Sequence, residues 1–232
     1  RFLRGFYYFT LVQQFGAIPL ITTAEVGIKT DFKRTPVPQV YDLIIADLRF
    51  ASDNLPTTQA NYGRATKGAA QHTLASVYLT RGSAVIDQRG QKATDMDSAA
   101  YYADEVINSG VYSLETDFKK LWDIANERNP EVVFAVQFSN TTLYNNLSGN
   151  RMHMFFNTDY DRRPGMRRDI ANDRPWDRFR PTNFSLLELF DRKNDSRFYK
   201  SFKTVWFSNN ASNLPNWVSA GGFVPHPDLA GK

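Results

Sequence analysis

The sequence predicts a mostly α-helical chain. Helices pair and stack as an α-α superhelix, followed by irregular loop-rich segments with a few short strands. Three observations predict this. Apolar residues recur at three- and four-residue spacing in successive stretches up to residue 110. Glycine, proline and hydroxyl residues punctuate the ends of those stretches. Beyond residue 118 the helical period gives way to one alternating run and to long segments rich in Arg, Asn and aromatic residues.

The first stretch, RFLRGFYYFTLVQQFG, places Phe2, Phe6, Phe9 and Val12 or Gln13 near one helical face. Gly16 suits the position just past a helix end, and Pro19 prevents continuation. The period is already running at Arg1 without a cap, which predicts a piece of a longer chain lacking an N-terminal part. After a polar loop, Thr35-Pro36 opens a second helix whose stripe is Tyr41, Ile44, Ile45, Leu48 and Ala51, with Pro56 as its stop. Thr66 caps a third helix containing Leu74-Ala75, Tyr78 and Gly82. A polar insert from Ser83 to Asp97 leads to a fourth, DSAAYYADEVINSG, with Asp97 or Ser98 as cap and Gly110 as terminator.

The spacing of Leu74, Ala75, Tyr78 and Gly82 matches the first helix of a tetratricopeptide unit, and that of Ile44, Leu48, Ala51 and Pro56 matches the second. Small residues let antiparallel helices approach, while the aromatic fills the groove beside them. Such pairs bury their faces by stacking. A generic amphipathic helix pair would show much of the same pattern. The intervening loops are too long for a regular solenoid, so any array is decorated.

In the second half, NPEVVFAVQFS reads as a strand, with Val132, Phe134, Val136 and Phe138 alternating. FSLLELFDRK reads as a short helix and FYKSFKTVWF as a strand. Trp122 and Trp206 fall in this regular structure and are expected in the core. The end, from Asn209, offers only turn signals.

Composition excludes several function classes. The net charge of +4 is mixed in sign along the chain, which reads as solvated surface and not as a nucleic-acid footprint. No apolar run approaches the ~20 residues of a membrane span. With no cysteine there is neither a disulfide nor a thiolate metal site within these residues. His72, His153 and His226 have no metal-spaced partner, and no nucleophile elbow, P-loop or dinucleotide fingerprint is present. No cofactor, metal or catalytic residue is therefore expected. Asn157, Asp159 and Asp161 imitate the start of a calcium loop, but Arg162 and Arg168 stand where Gly and a bidentate Glu are needed. Arg residues interleave with Phe155, Phe156, Tyr160, Trp176 and Phe179 between residues 151 and 180. That pattern fits single-stranded nucleic acid, sugar rings stacked on aromatic faces, or internal packing of a long loop.

Taken together, RFLRGFYYFTLVQQFGAIPLI, RTPVPQVYDLIIADLRFASDNLP, GRATKGAAQHTLASVYLTRG, AAYYADEVINSGVYSL, NPEVVFAVQFS and RFRPTNFSLLELFDRKNDSRFYKSF resemble, in order and spacing, the SusD/RagB family of outer-membrane nutrient-binding lipoproteins. The resemblance implies one SusD-like domain over 1–232, truncated at both ends. Within it, residues 1–117 form the tetratricopeptide-like scaffold and 118–232 the loop-rich ligand face. It implies a cell-surface binding protein, not an enzyme, that captures oligosaccharide or polysaccharide and hands it to a SusC-like TonB-dependent transporter. Nucleic acid is not implied, and the membrane is met only through an N-terminal lipid anchor outside these residues. Binding of peptides, or action chiefly as a scaffold contacting the transporter, are the alternatives. The ligand contacts implied are Tyr144, Tyr160, Trp176 and Phe179 as aromatic platforms, with Asn157, Asp159 and Arg163 as polar partners.

Overall fold

Four helices account for most of the regular structure in the computed structural model. They are α1 (Phe2–Phe15), α2 (Val37–Asn54), α3 (Lys67–Gly82) and α4 (Asp95–Ile107). The structure describes residues 1–24, 27, 28, 30–85, 88–138, 141, 155–172, 174, 175, 182, 184 and 188–225. They divide into two compact units. One comprises Arg1–Glu115 and Arg128–Val136, the other Thr116–Glu127 and Gln137–Lys232.

In the helical unit, neighbours in sequence pack as neighbours in space: α1 on α2, α2 on α3, and α3 most extensively on α4. The observed arrangement is mostly helical with tetratricopeptide-like pairing. The predicted stripe of α2 is realised, since Val40, Tyr41, Ile44, Ile45, Leu48 and Ala51 are all buried. Against it lie Phe2 and Val12 of α1 and Ala69, Ala70, Leu74, Val77 and Tyr78 of α3. Close approach depends on small residues at two crossings. A Cβ on Gly5 would stand 2.9 Å from Leu48 Cγ, and one on Gly82 2.9 Å from Asp95 Cβ.

The ends follow local chemistry. Gly16 closes α1 at φ 67°, a left-handed conformation that suits glycine, and its N–H bonds the Val12 carbonyl. Thr66 caps α3 by accepting the Ala69 N–H at 3.2 Å. The fourth helix begins earlier than predicted, at Asp95 after Thr94, because Asp95 has a buried partner. Its carboxylate takes Arg81 Nη2 at 2.6 Å and Arg81 Nε at 3.0 Å, and also accepts the Lys92 N–H. Arg81 reaches Asp42 of α2 at 3.8 Å, so one guanidinium ties three helices. At the other end of the bundle Arg4 of α1 grips Asp47 of α2 and donates to the Thr22 carbonyl.

Residues 130–138 do not form the predicted strand. The segment opens on a turn at residues 130 and 131 and joins no sheet among the described residues. Instead Val133 and Phe134 pack on the helices, with Phe134 edge-on to Phe2 and Phe6 at 5.1 and 5.8 Å. Burial does not follow the period of two: Val133 and Phe134 pack on the helical core, whereas Val136 and Phe138 are exposed.

In the second unit the predicted strand FYKSFKTVWF splits into a short helix α5 (Arg197–Ser201) and β1 (Val205–Phe207). β1 pairs antiparallel with β2 (Phe223–Pro225), Trp206 opposite Val224 and Phe207 opposite Phe223. The ladder is two-faced. Trp206 and Val224 are buried with Tyr160, Met166 and Val218, whereas Phe207 and Phe223 are exposed. Trp206 is a core residue as expected, but Trp122 is 77% exposed on a 3-10 turn over Phe118–Trp122. That turn is fixed by Asp117, which accepts the Lys119 N–H and the Lys200 ammonium of α5. Of the predicted helix FSLLELFDRK, residues 185–187 lie outside the described residues, while the N–H groups of Glu188 and Leu189 bond the Phe184 carbonyl.

Candidate functional site

The polar residues nominated from sequence lie on a folded loop that starts at residue 155. Its backbone turns through a 3-10 helix, Tyr160–Arg162, and Arg163 and Met166 continue the turns by bonding the carbonyls of Tyr160 and Arg163. Gly165, at φ +81°, stands where an added Cβ would lie 3.3 Å from Leu214 Cδ2, and its carbonyl accepts the N–H groups of Asn209 and Asn210. The loop is thereby docked on the segment that follows β1.

Asp169 is the centre of the polar network. It accepts the Asn172 backbone N–H and side-chain amide, each at 2.8 Å, and the Asn209 amide. Asn209 in turn makes two bonds with the backbone of Arg167. Burial raises the Asp169 pKa, but the bonds from Asn209 and Asn172 and the charge of Lys203 outweigh it, and the carboxyl stays ionised below its ordinary range. Lys203 donates to the Asn172 side chain and lies 5.3 Å from the Trp206 ring centroid. Asn157 joins through its amide, which donates to the Asn172 carbonyl at 2.7 Å.

Asp159 pairs with Arg162 at 3.4 Å and Asp161 with Arg168. The two carboxylates of the calcium-like motif are thus occupied by guanidinium groups. Among the described residues no three His, Cys, Asp or Glu side chains come together as a cation site. Arg163 is exposed, as is Phe156 beside Asn157.

Tyr160 is the clear correction. It is 1% exposed, packed with Met166, Trp206 and Val218, and burial raises its hydroxyl pKa. A ring enclosed on this scale has no face to offer a sugar, so Tyr160 builds the loop's foundation and is not a platform. Tyr144, Trp176 and Phe179 lie outside the described residues. Of the nominated set, Asn157, Asp159 and Arg163 share one loop, and Asn157 enters the Asp169 network. Sequence reading missed Asp169, Asn172, Lys203 and Asn209, because their hydrogen bonds span up to 42 residues and leave no local spacing to read. Chemically, the loop offers carboxylate, amide and guanidinium groups held in place from behind, a donor and acceptor array suited to a polyhydroxylated ligand.

Comparison with known proteins finds relatives of this chain. Residues 1–79 match the family model described as SusD-like, starch-binding associating with outer membrane. The chain is 39% identical over 127 residues to SusD-like protein P2 of Formosa agariphila, covering 53% of this chain and 23% of that one. Among solved structures, a crystal structure with xylogluco-oligosaccharide is 30% identical with a TM-score of 0.54, over 60% of this chain and 28% of the other. A SusD superfamily protein of Bacteroides fragilis shares the fold over 97% of this chain and 46% of its own, at 21% identity and a TM-score of 0.66. The chain aligns with about a quarter of the length of the curated relatives it matches. The match of residues 1–79, the relatives that extend it and the fold shared over most of the chain agree: the chain is similar to SusD-like proteins in its helical segment and has their fold.

Proposed function

We propose that this protein captures oligosaccharides at the outer-membrane surface and hands them to a TonB-dependent, SusC-like transporter, acting by binding and not by catalysis. The observation that carries the reading is the 30% identical relative solved with a xylogluco-oligosaccharide. In this reading residues 1–117 are the scaffold and 118–232 carry the ligand face, attached to the membrane by a lipid outside these residues. Asn157, Asp159 and Arg163 bond sugar hydroxyls. Tyr144, Trp176 and Phe179 supply stacking faces, and the exposed Phe156 adds one beside Asn157.

Calorimetric titration of the full-length protein against xylogluco-oligosaccharide and a panel of polysaccharides tests this. Binding to one glycan class is expected, weakened on the order of tenfold or more by Trp176→Ala or Arg163→Ala, as loss of a central contact does. No binding to any glycan, together with measurable peptide binding, would overturn it.

A second reading, a scaffold acting mainly through protein contact with the transporter, is favoured by one observation. Leu3, Tyr7, Leu11 and Phe15 form an exposed apolar stripe along α1. It predicts that Leu3→Lys and Leu11→Lys disrupt co-purification with the transporter while Trp176→Ala leaves nutrient uptake unchanged.

A further inference from the structure

The helical unit contains a cleft of its own, distant in sequence from the loop just discussed. The first turn of α3, the last turn of α4 and Tyr112 enclose about 280 Å³. That is near the lower end of small-molecule pockets, which run from about 300 Å³, and matches one ring-sized group better than a folded chain.

Tyr112 forms its aromatic wall and is held on two sides. Its ring lies so close to Gly68 that a Cβ there would stand 2.5 Å from Cε2. Its hydroxyl is 3.0 Å from the Thr66 hydroxyl, which is itself fixed as the cap of α3. The cleft is also lined by hydrogen-bonding groups of both kinds. Gln71, 4% exposed, donates its amide to the Glu105 carboxylate at 3.2 Å. Asn108 and Lys67 stand at the rim. The charges of Lys67 and Glu105 offset each other, so the cleft favours neither an anion nor a cation.

A cleft lined by an aromatic ring and by a paired amide and carboxylate, with no net charge, is complementary to a pyranose. Such a ring has an apolar C–H face and hydroxyls that both donate and accept. A second cavity of about 170 Å³ shares Tyr112 and Thr57 with the first and extends along Tyr62. A chain of linked rings could therefore continue past Tyr112.

We propose that this cleft is a second carbohydrate subsite, on the helical scaffold, that seats one neutral pyranose unit on Tyr112 with its hydroxyls bonded by Gln71 and Glu105. The ligand class rests on the glycan-binding reading above, whereas the location does not.

The test is hydrogen–deuterium exchange on the full-length protein with and without a xylogluco-oligosaccharide and a cello-oligosaccharide. Ligand-dependent protection is expected at residues 66–71 and 108–112. It should survive Trp176→Ala and Arg163→Ala. Glu105→Gln, which keeps the shape but removes the charged acceptor, should raise the ligand concentration for half-protection about tenfold. Tyr112→Leu should abolish protection, and the unliganded exchange pattern of each variant reports whether its fold is intact. Oligosaccharide binding that leaves 66–71 and 108–112 unprotected, or protection indifferent to Glu105→Gln, overturns the subsite while the loop-borne site stands. Failure of every glycan to bind the protein overturns both.

Discussion

Arg81 shows most plainly what one side chain does here. It is 3% exposed, bidentate to an equally buried Asp95, and within reach of Asp42. Replacing it with Met leaves a buried carboxylate without its counter-charge, so Arg81→Met should cost about 3–5 kcal/mol, measured by urea unfolding. The double change Arg81→Met with Asp95→Leu should cost much less. The same pair makes stability depend on pH. Burial raises the Asp95 pKa, but the Arg81 hydrogen bonds and charge and the Lys92 N–H more than offset this and lower it. A carboxyl whose pKa falls on folding adds stability above its unfolded value of about 3.9, and that contribution disappears as pH falls through the lowered folded value. The urea midpoint should therefore drop below about pH 4 more steeply in the wild type than in Asp95→Asn. Tyr160 teaches a different lesson. Its neighbours in sequence are Asp159 and Asp161, which look like a site, but its burial partners Trp206 and Val218 are some fifty residues on. Composition alone could not separate a stacking face from a foundation.

At the scale of the element, the helices were legible and the extended segments were not. Periodicity identified the α2 stripe, and Thr66 was recognisable as a cap because the side-chain bond it makes is to a residue three positions away. Thr66→Ala should cost about 1 kcal/mol in chemical denaturation. Leu48→Ala, at the crossing with Gly5, should cost about 2–5 kcal/mol. The run Val132–Phe138 was misread because alternation of apolar residues does not by itself make a ladder: Val133 and Phe134 pack on helices, and Val136 and Phe138 are left exposed. Trp122 was misread for a related reason: an aromatic residue in a regular-looking run is usually core, yet a short turn braced by Asp117 holds this one outward. Helix α1 is apolar on both its packed and its open faces. Tyr7→Lys with Leu11→Lys should leave the melting temperature unchanged in a thermal scan, since both residues are exposed.

At the scale of the molecule, the helical unit is discontinuous in sequence, closing with residues 128–136. A fragment ending at residue 117 would leave Phe2 and Phe6 without Phe134. It should bind a hydrophobic dye and melt less cooperatively than a fragment of residues 1–136, a contrast that a thermal scan with dye fluorescence would reveal. The candidate loop was legible as polar and aromatic-rich, and its three polar nominees do lie on one loop. The network that holds it was not legible, because Asp169, Asn172 and Asn209 are brought together by the fold alone. The return of residues 128–136 to the helices also has a consequence in time. On a ribosome adding about 5–20 residues per second, the 21 residues between Glu115 and Val136 take roughly 1–4 s to emerge. Over that interval the nascent helices wait with two phenylalanines uncovered, and a chaperone that shields aromatic surface would find its moment there.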